Sequence, residues 1–69
     1  MTRLKVLRLE RRLSLFDVGK SVDIRDNVLS TYERRRNTVY PKHRRALAEF
    51  YNVAEEELFE DGFAKEVNG

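Results

Sequence analysis

The sequence predicts an all-α domain: a compact bundle of about five short helices built around a helix-turn-helix. Three observations carry that expectation. Apolar residues recur at three- and four-residue spacing along most of the 69 residues, with no strand pattern anywhere. The stretch 17–35, DVGKSVDIRDNVLSTYERR, holds two short amphipathic segments joined by a tight polar corner. Val18, Gly19 and Val22 form the first apolar face, Asp23 breaks it, Ile24 plugs the corner, and Leu29 and Tyr32 restart the face. Finally, the chain has no cysteine, hence no disulfide and no thiolate metal site. A chain this short buries only about 60% of its unfolded surface, and without such staples a helical bundle or an oligomer is its easiest route to stability.

A first helix is expected over about 2–12, with Thr2 as its N-cap and Leu4 and Leu7 as its buried stripe. Val6 and Leu9 fall off that stripe and are expected at the surface. Leu13 then acts as a plug between helices. Ser14 opens the second helix, about 14–22, as N-cap, and Asp17 three residues on completes a capping-box pattern. Gly19 sits in mid-helix, where it costs up to about 1 kcal/mol relative to alanine. A close approach of the second helix of the motif would justify it; drift from alanine is the duller alternative.

The third helix, the recognition helix of the motif, should run over about 26–34, with Asp26 and Asn27 exposed, Leu29 and Tyr32 inward and Val28 partly so. A basic loop, 35–40, leads to Pro41, which suits the first turn of a fourth helix over 41–51. Leu47, Ala48 and Tyr51 form that helix's core face, Asn52 is a left-handed cap, and Val53 returns to the core. A last helix over 55–59 buries Leu58, with its neighbour Phe59 as a further candidate, and its leading glutamates suit a helix N-terminus. The domain therefore covers 1–60, and 61–69 form a C-terminal tail.

Charge is more informative in its distribution than in its sum of +2. Residues 1–13 are net +4, 14–33 net −2, 34–45 net +6 and 46–69 net −6. Two basic segments flanking a helix-turn-helix point to DNA, because that motif lays its second helix in the major groove and Arg34, Arg35 and Arg36 follow where phosphates would lie. No apolar run approaches the roughly 18 residues of a membrane span, and no signal-peptide core opens the chain, so a cytoplasmic protein is expected. An enzyme is not expected. The sole His43 lies in the basic run KHRR, where a surface histidine near phosphates is the ordinary reading, and no phosphate-cradling glycine loop or metal-ligand cluster is present. No cofactor, metal or small-molecule ligand is expected.

The run LRLERRLSLFDVGKSVDIRDNVLSTYERRR, followed by LAEFYNV and EEELF, resembles the Xre/Cro family of phage-repressor-like helix-turn-helix proteins from about Leu4 to Phe59. The ordered set Leu4, Leu7, Arg8, Leu13-Ser14, Val18, Val22, Ile24, Leu29, Tyr32-Glu33-Arg34, Leu47-Ala48-Glu49 and Val53 carries it. The resemblance implies the lambda-repressor-like fold, a bacterial or phage source, and a structural ion pair between Arg8 and Glu33. It implies base reading from the first turns of the recognition helix, here Asp26, Asn27 and Thr31, with Val28 against a thymine methyl. Asn27 suits an adenine edge, and Asp26 either accepts from a cytosine amino group or complements the helix dipole. Arg25 holds a phosphate or reaches a guanine, and Lys42 joins Arg34, Arg35 and Arg36 as a backbone contact. The chain departs from the family at Leu15, where glutamine is common, at Phe16, where a polar residue is usual, and at Asp23 and Arg35, where glycines are usual. These changes place more of the expected affinity on the basic loop.

The leading expectation is a small sequence-specific regulator, a repressor, binding double-stranded DNA as a homodimer. Its size puts it closer to a Cro-type protein than to a two-domain repressor. A protein-interaction module on the same fold is the alternative. Val6, Leu9, Leu15 and Phe16 would supply its apolar surface, and Phe63 and Val67 in the tail are further apolar candidates. The dimer face is expected in the C-terminal part, 51–63, leaving the patch on the first two helices for the tail or a protein partner.

Overall fold

The computed structural model describes residues 2–34 and 39–59. These form five helices and no strand: α1 (Arg3–Glu10), α2 (Leu15–Val22), α3 (Asp26–Arg34), α4 (Pro41–Tyr51) and α5 (Glu55–Phe59). Every helix contributes to one core, Leu4 and Leu7 from α1, Val18 from α2, Leu29 and Tyr32 from α3, Leu47, Ala48 and Tyr51 from α4, and Leu58 and Phe59 from α5. Ile24, in the corner between α2 and α3, closes it. α2 packs on α3 and α4, and α1 spans from α3 to α5. Among the described residues no helix is long and apolar enough to cross a membrane.

Local chemistry sets where the helices begin. The Thr2 hydroxyl accepts from the Lys5 N–H at 3.2 Å and starts α1. Pro41 starts α4, where its missing N–H removes nothing from the helix ladder. The ends share one device. Arg12, Asp23 and Asn52 have φ of 57°, 60° and 59°, the left-handed conformation, and each is followed by an apolar residue. The N–H of that residue reaches back to the last turn: Leu13 to the Arg8 carbonyl at 3.1 Å, Ile24 to Gly19 at 3.0 Å and Val53 to Ala48 at 3.0 Å. The left-handed residue turns the chain, its successor drops into or against the core, and orphan carbonyls are satisfied.

This device corrects the expected end of the first helix, which stops at Glu10 rather than near residue 12. Arginine is an ordinary helix former, and nothing in its side chain announces the left-handed conformation that Arg12 adopts. A left-handed residue with a Cβ carries about 1–2 kcal/mol of steric penalty that glycine escapes. Arg12→Gly is therefore expected to raise stability by about 0.5–1 kcal/mol, read as a higher denaturant midpoint with unchanged slope.

Two expectations about exposure also change. Leu15 is half-buried and packs against the core, because α2 is seated with that side of its first turn toward the other helices. Val6 is likewise half-buried, whereas Leu9 and Phe16 stay exposed. Phe59 is fully inside, 3% exposed, with the Arg44 guanidinium 5.1 Å above its ring. Tyr51 is also internal, and burial pushes its hydroxyl up to about 12. Arg11 lies over the Tyr51 ring at 5.1 Å and donates to the Tyr51 carbonyl at 3.1 Å, tying α1 to the end of α4. Among the described residues, the 51–59 part of the expected dimer face thus has its large apolar side chains turned inward and Glu56 and Glu57 turned out. Residues 60–63 of that face lie outside the described residues, as do Phe63 and Val67.

Candidate nucleic-acid interface

The candidate site is assembled from α2, the corner 23–25 and α3. The Ser14 hydroxyl accepts from the Asp17 N–H at 3.0 Å while the Asp17 carboxylate accepts from the Ser14 N–H at 3.0 Å, a reciprocal cap that fixes the first turn of α2. The Ser14 N–H, and after it the hydroxyl, hold the Asp17 carboxyl below its usual range. Gly19 explains how closely the corner folds back. A Cβ there would run into the Ile24 carbonyl oxygen, with the Leu29 side chain 3.4 Å away. The close neighbour is thus the corner's own backbone rather than that of α3. Asp23 supplies the left-handed turn where glycine is usual in the family the sequence resembles.

Three contacts seat α3. Leu29 and Tyr32 enter the core at 1% and 3% exposure. Its end is clamped by Arg8, whose Nε and Nη2 donate to the two Glu33 oxygens at 2.7 and 3.1 Å. The remaining Arg8 arm donates to the Leu13 carbonyl at 2.9 Å, so one guanidinium joins α1, the plug before α2, and α3. The Glu33 bond raises Arg8 above its ordinary pKa, and both side chains are nearly inaccessible. The third seat has no local sequence signal: the Tyr32 hydroxyl lies 2.6 Å from His43 Nδ1, in the first turns of α4. His43 is half-buried, not the freely exposed histidine expected among phosphates. The residues stand eleven apart across a loop, so no helical period could pair them.

With one side so anchored, the other side of α3 faces out. Arg25, Asp26 and Asn27 are exposed at its start and Arg34 at its end. The Arg25 carbonyl takes the first helical bond, from Leu29 at 3.0 Å, so Arg25 occupies a cap position with no side-chain acceptor to offer. Thr31 is half-buried and its hydroxyl donates to the Asn27 carbonyl at 3.1 Å, leaving only its oxygen lone pairs for an outside donor. Val28 is half-buried against the core. Lys42 is exposed at the start of α4, while Arg35 and Arg36 lie outside the described residues. Phe16, 65% exposed, shares a shallow depression of about 420 Å³ with Lys20, Asp23, Arg25 and Asp26, beside the buried Gly19 and Ile24. The depression balances two cations against two carboxylates. In the sequence Lys20 is one lysine on a helix face and carries no signal of this place.

Compared with known protein families, with curated proteins and with solved structures, the chain matches none.

Proposed function

We propose that this chain is a small sequence-specific DNA-binding regulator, acting as a repressor, whose α3 lies in the major groove. One observation carries the reading. α3 is locked along one side by Leu29, Tyr32 and the forked Arg8–Glu33 pair, and presents Arg25, Asp26 and Asn27 outward from its first turn. A rigid helix offering hydrogen-bonding side chains at its N-terminal end is what base reading in the major groove requires. Asn27 is the residue with both a donor and an acceptor to place on an adenine edge. Arg34 and Lys42, with Arg35 and Arg36 of the basic loop, are the proposed phosphate contacts. The resemblance to Xre/Cro proteins supports the same assignment, and with it a cytoplasmic site of action and two chains per operator.

Selection of bound sequences from random DNA tests the reading. The parent is expected to enrich one motif. Asn27→Ala is expected to keep the fold and lose preference at one position of the half-site, worth about 1–3 kcal/mol of discrimination. An identical motif for parent and variant would remove Asn27 from base reading.

A protein-interaction module is the second reading, and Phe16 favours it. A large exposed aromatic beside a depression whose two cations and two carboxylates cancel is poorly suited to a phosphate backbone and well suited to another protein.

A further inference from the structure

The hydrogen bond between Tyr32 and His43 joins the two helices to which the proposed function gives different tasks. Tyr32 is the last core residue of α3, its ring inside and its hydroxyl emerging at His43. His43 follows Lys42 in the first turn of α4, so its backbone moves with the proposed phosphate contact. The rings of Tyr32 and His43 lie 5.6 Å apart at 57°, and the Tyr40 ring meets His43 edge-on at 5.8 Å and 74°. The Tyr32 hydroxyl and His43 Nδ1 stand 2.6 Å apart, and a neutral imidazole with its proton on Nε2 accepts there from the hydroxyl. α2 packs on both α3 and α4, and among the described residues the Tyr32–His43 contact is the side-chain hydrogen bond that joins α3 to α4. A nine-residue helix is about 13 Å long, and a small tilt at its Tyr32 end displaces Asn27 at the other.

We propose that His43 is a positioning residue: its Nδ1 accepts from the Tyr32 hydroxyl and fixes the spacing between the base-reading helix and the start of α4. This rests on the DNA-binding reading. Phosphate contacts set the register of a protein on the duplex and base contacts read it, so both sets engage one site only if their separation is fixed. The tether therefore acts on discrimination rather than on general affinity. Its loss leaves Lys42, Arg34 and the core in place.

Four proteins test this: the parent, Tyr32→Phe, His43→Ala and His43→Asn. Asparagine puts its amide oxygen near the place of Nδ1 and restores an acceptor without the ring. Each is titrated against the DNA motif selected by the parent and against a scrambled duplex, at a temperature where melting shows all four folded. Tyr32→Phe and His43→Ala are expected to lose about fivefold in affinity for the selected motif, with scrambled DNA bound as by the parent. His43→Asn is expected to recover most of the loss. Equal weakening on both duplexes, selected-motif affinity unchanged in Tyr32→Phe, or no recovery in His43→Asn would overturn the positioning role while leaving DNA binding intact. A parent that binds neither duplex would overturn the DNA-binding reading, and the positioning role with it.

Discussion

Arg8→Ala is expected to destabilise the domain by about 3 kcal/mol, lowering its melting temperature by roughly 15 °C. The alanine leaves the Glu33 carboxylate at 7% side-chain exposure with neither of its two donors, and leaves the Leu13 carbonyl without the third Arg8 arm. A charge so placed must be desolvated alone, which costs more than the pair returned by forming. Arg8→Lys keeps the charge but not the planar fork, and should fall between parent and alanine. Replacing both partners, Arg8→Met with Glu33→Leu, should recover most of the loss, since no buried charge remains. Thermal unfolding followed by circular dichroism distinguishes these outcomes. A loss below about 1 kcal/mol in Arg8→Ala would mean that the pair behaves as an ordinary surface salt bridge.

Gly19→Ala is expected to destabilise by about 2 kcal/mol, against the direction that helix propensity predicts. Propensity alone favours alanine in mid-helix by up to about 1 kcal/mol. The added Cβ, however, would overlap the Ile24 carbonyl oxygen, a backbone atom of the corner that cannot rotate away. Relief requires moving the corner from α2, which disturbs Ile24 in the core and the Ile24 N–H bond to Gly19 at 3.0 Å. Denaturant titration reads the sign directly. A stabilised Gly19→Ala would show that the corner yields easily and that the glycine has no packing role.

The two glycine and arginine positions show which parts of the molecule the chain announces. α3 and α4 lie where the apolar period, Pro41 and Asn52 place them, because caps and periodicity are local chemistry written within four residues. The Ser14–Asp17 cap is legible for the same reason. Gly19 hints at a close approach, but not at which backbone approaches. Arg12 gives no sign of its left-handed turn, since its side chain is indifferent to it. Leu15 and Phe16 differ in burial although both are large apolar residues of one turn, because exposure there depends on where α2 sits against the core. The Tyr32–His43 bond depends on how the chain returns from α3 to α4, and no local pattern encodes it. Arg8 and Glu33 are 25 residues apart, and only the family resemblance suggested pairing them.

The exposed residues of the candidate site were more readily foreseen than its supports. Arg25, Asp26, Asn27, Arg34 and Lys42 stand at helix ends, and ends of surface helices are exposed in almost any packing of these segments. What they bind is decided by geometry toward a partner, and charge alone is ambiguous where Asp23 and Asp26 stand beside Lys20 and Arg25.

Equilibrium titration of duplex DNA by the intact chain at two or more salt concentrations tests the DNA-binding proposal most directly. Binding at low salt is predicted, with an association constant that falls linearly against salt on logarithmic axes. Lys42→Ala should flatten that slope by about 0.9 for the one phosphate contact it removes. No binding at low salt, or binding indifferent to salt and to Lys42→Ala, would contradict the proposal and leave the Phe16 surface as the better guide to function.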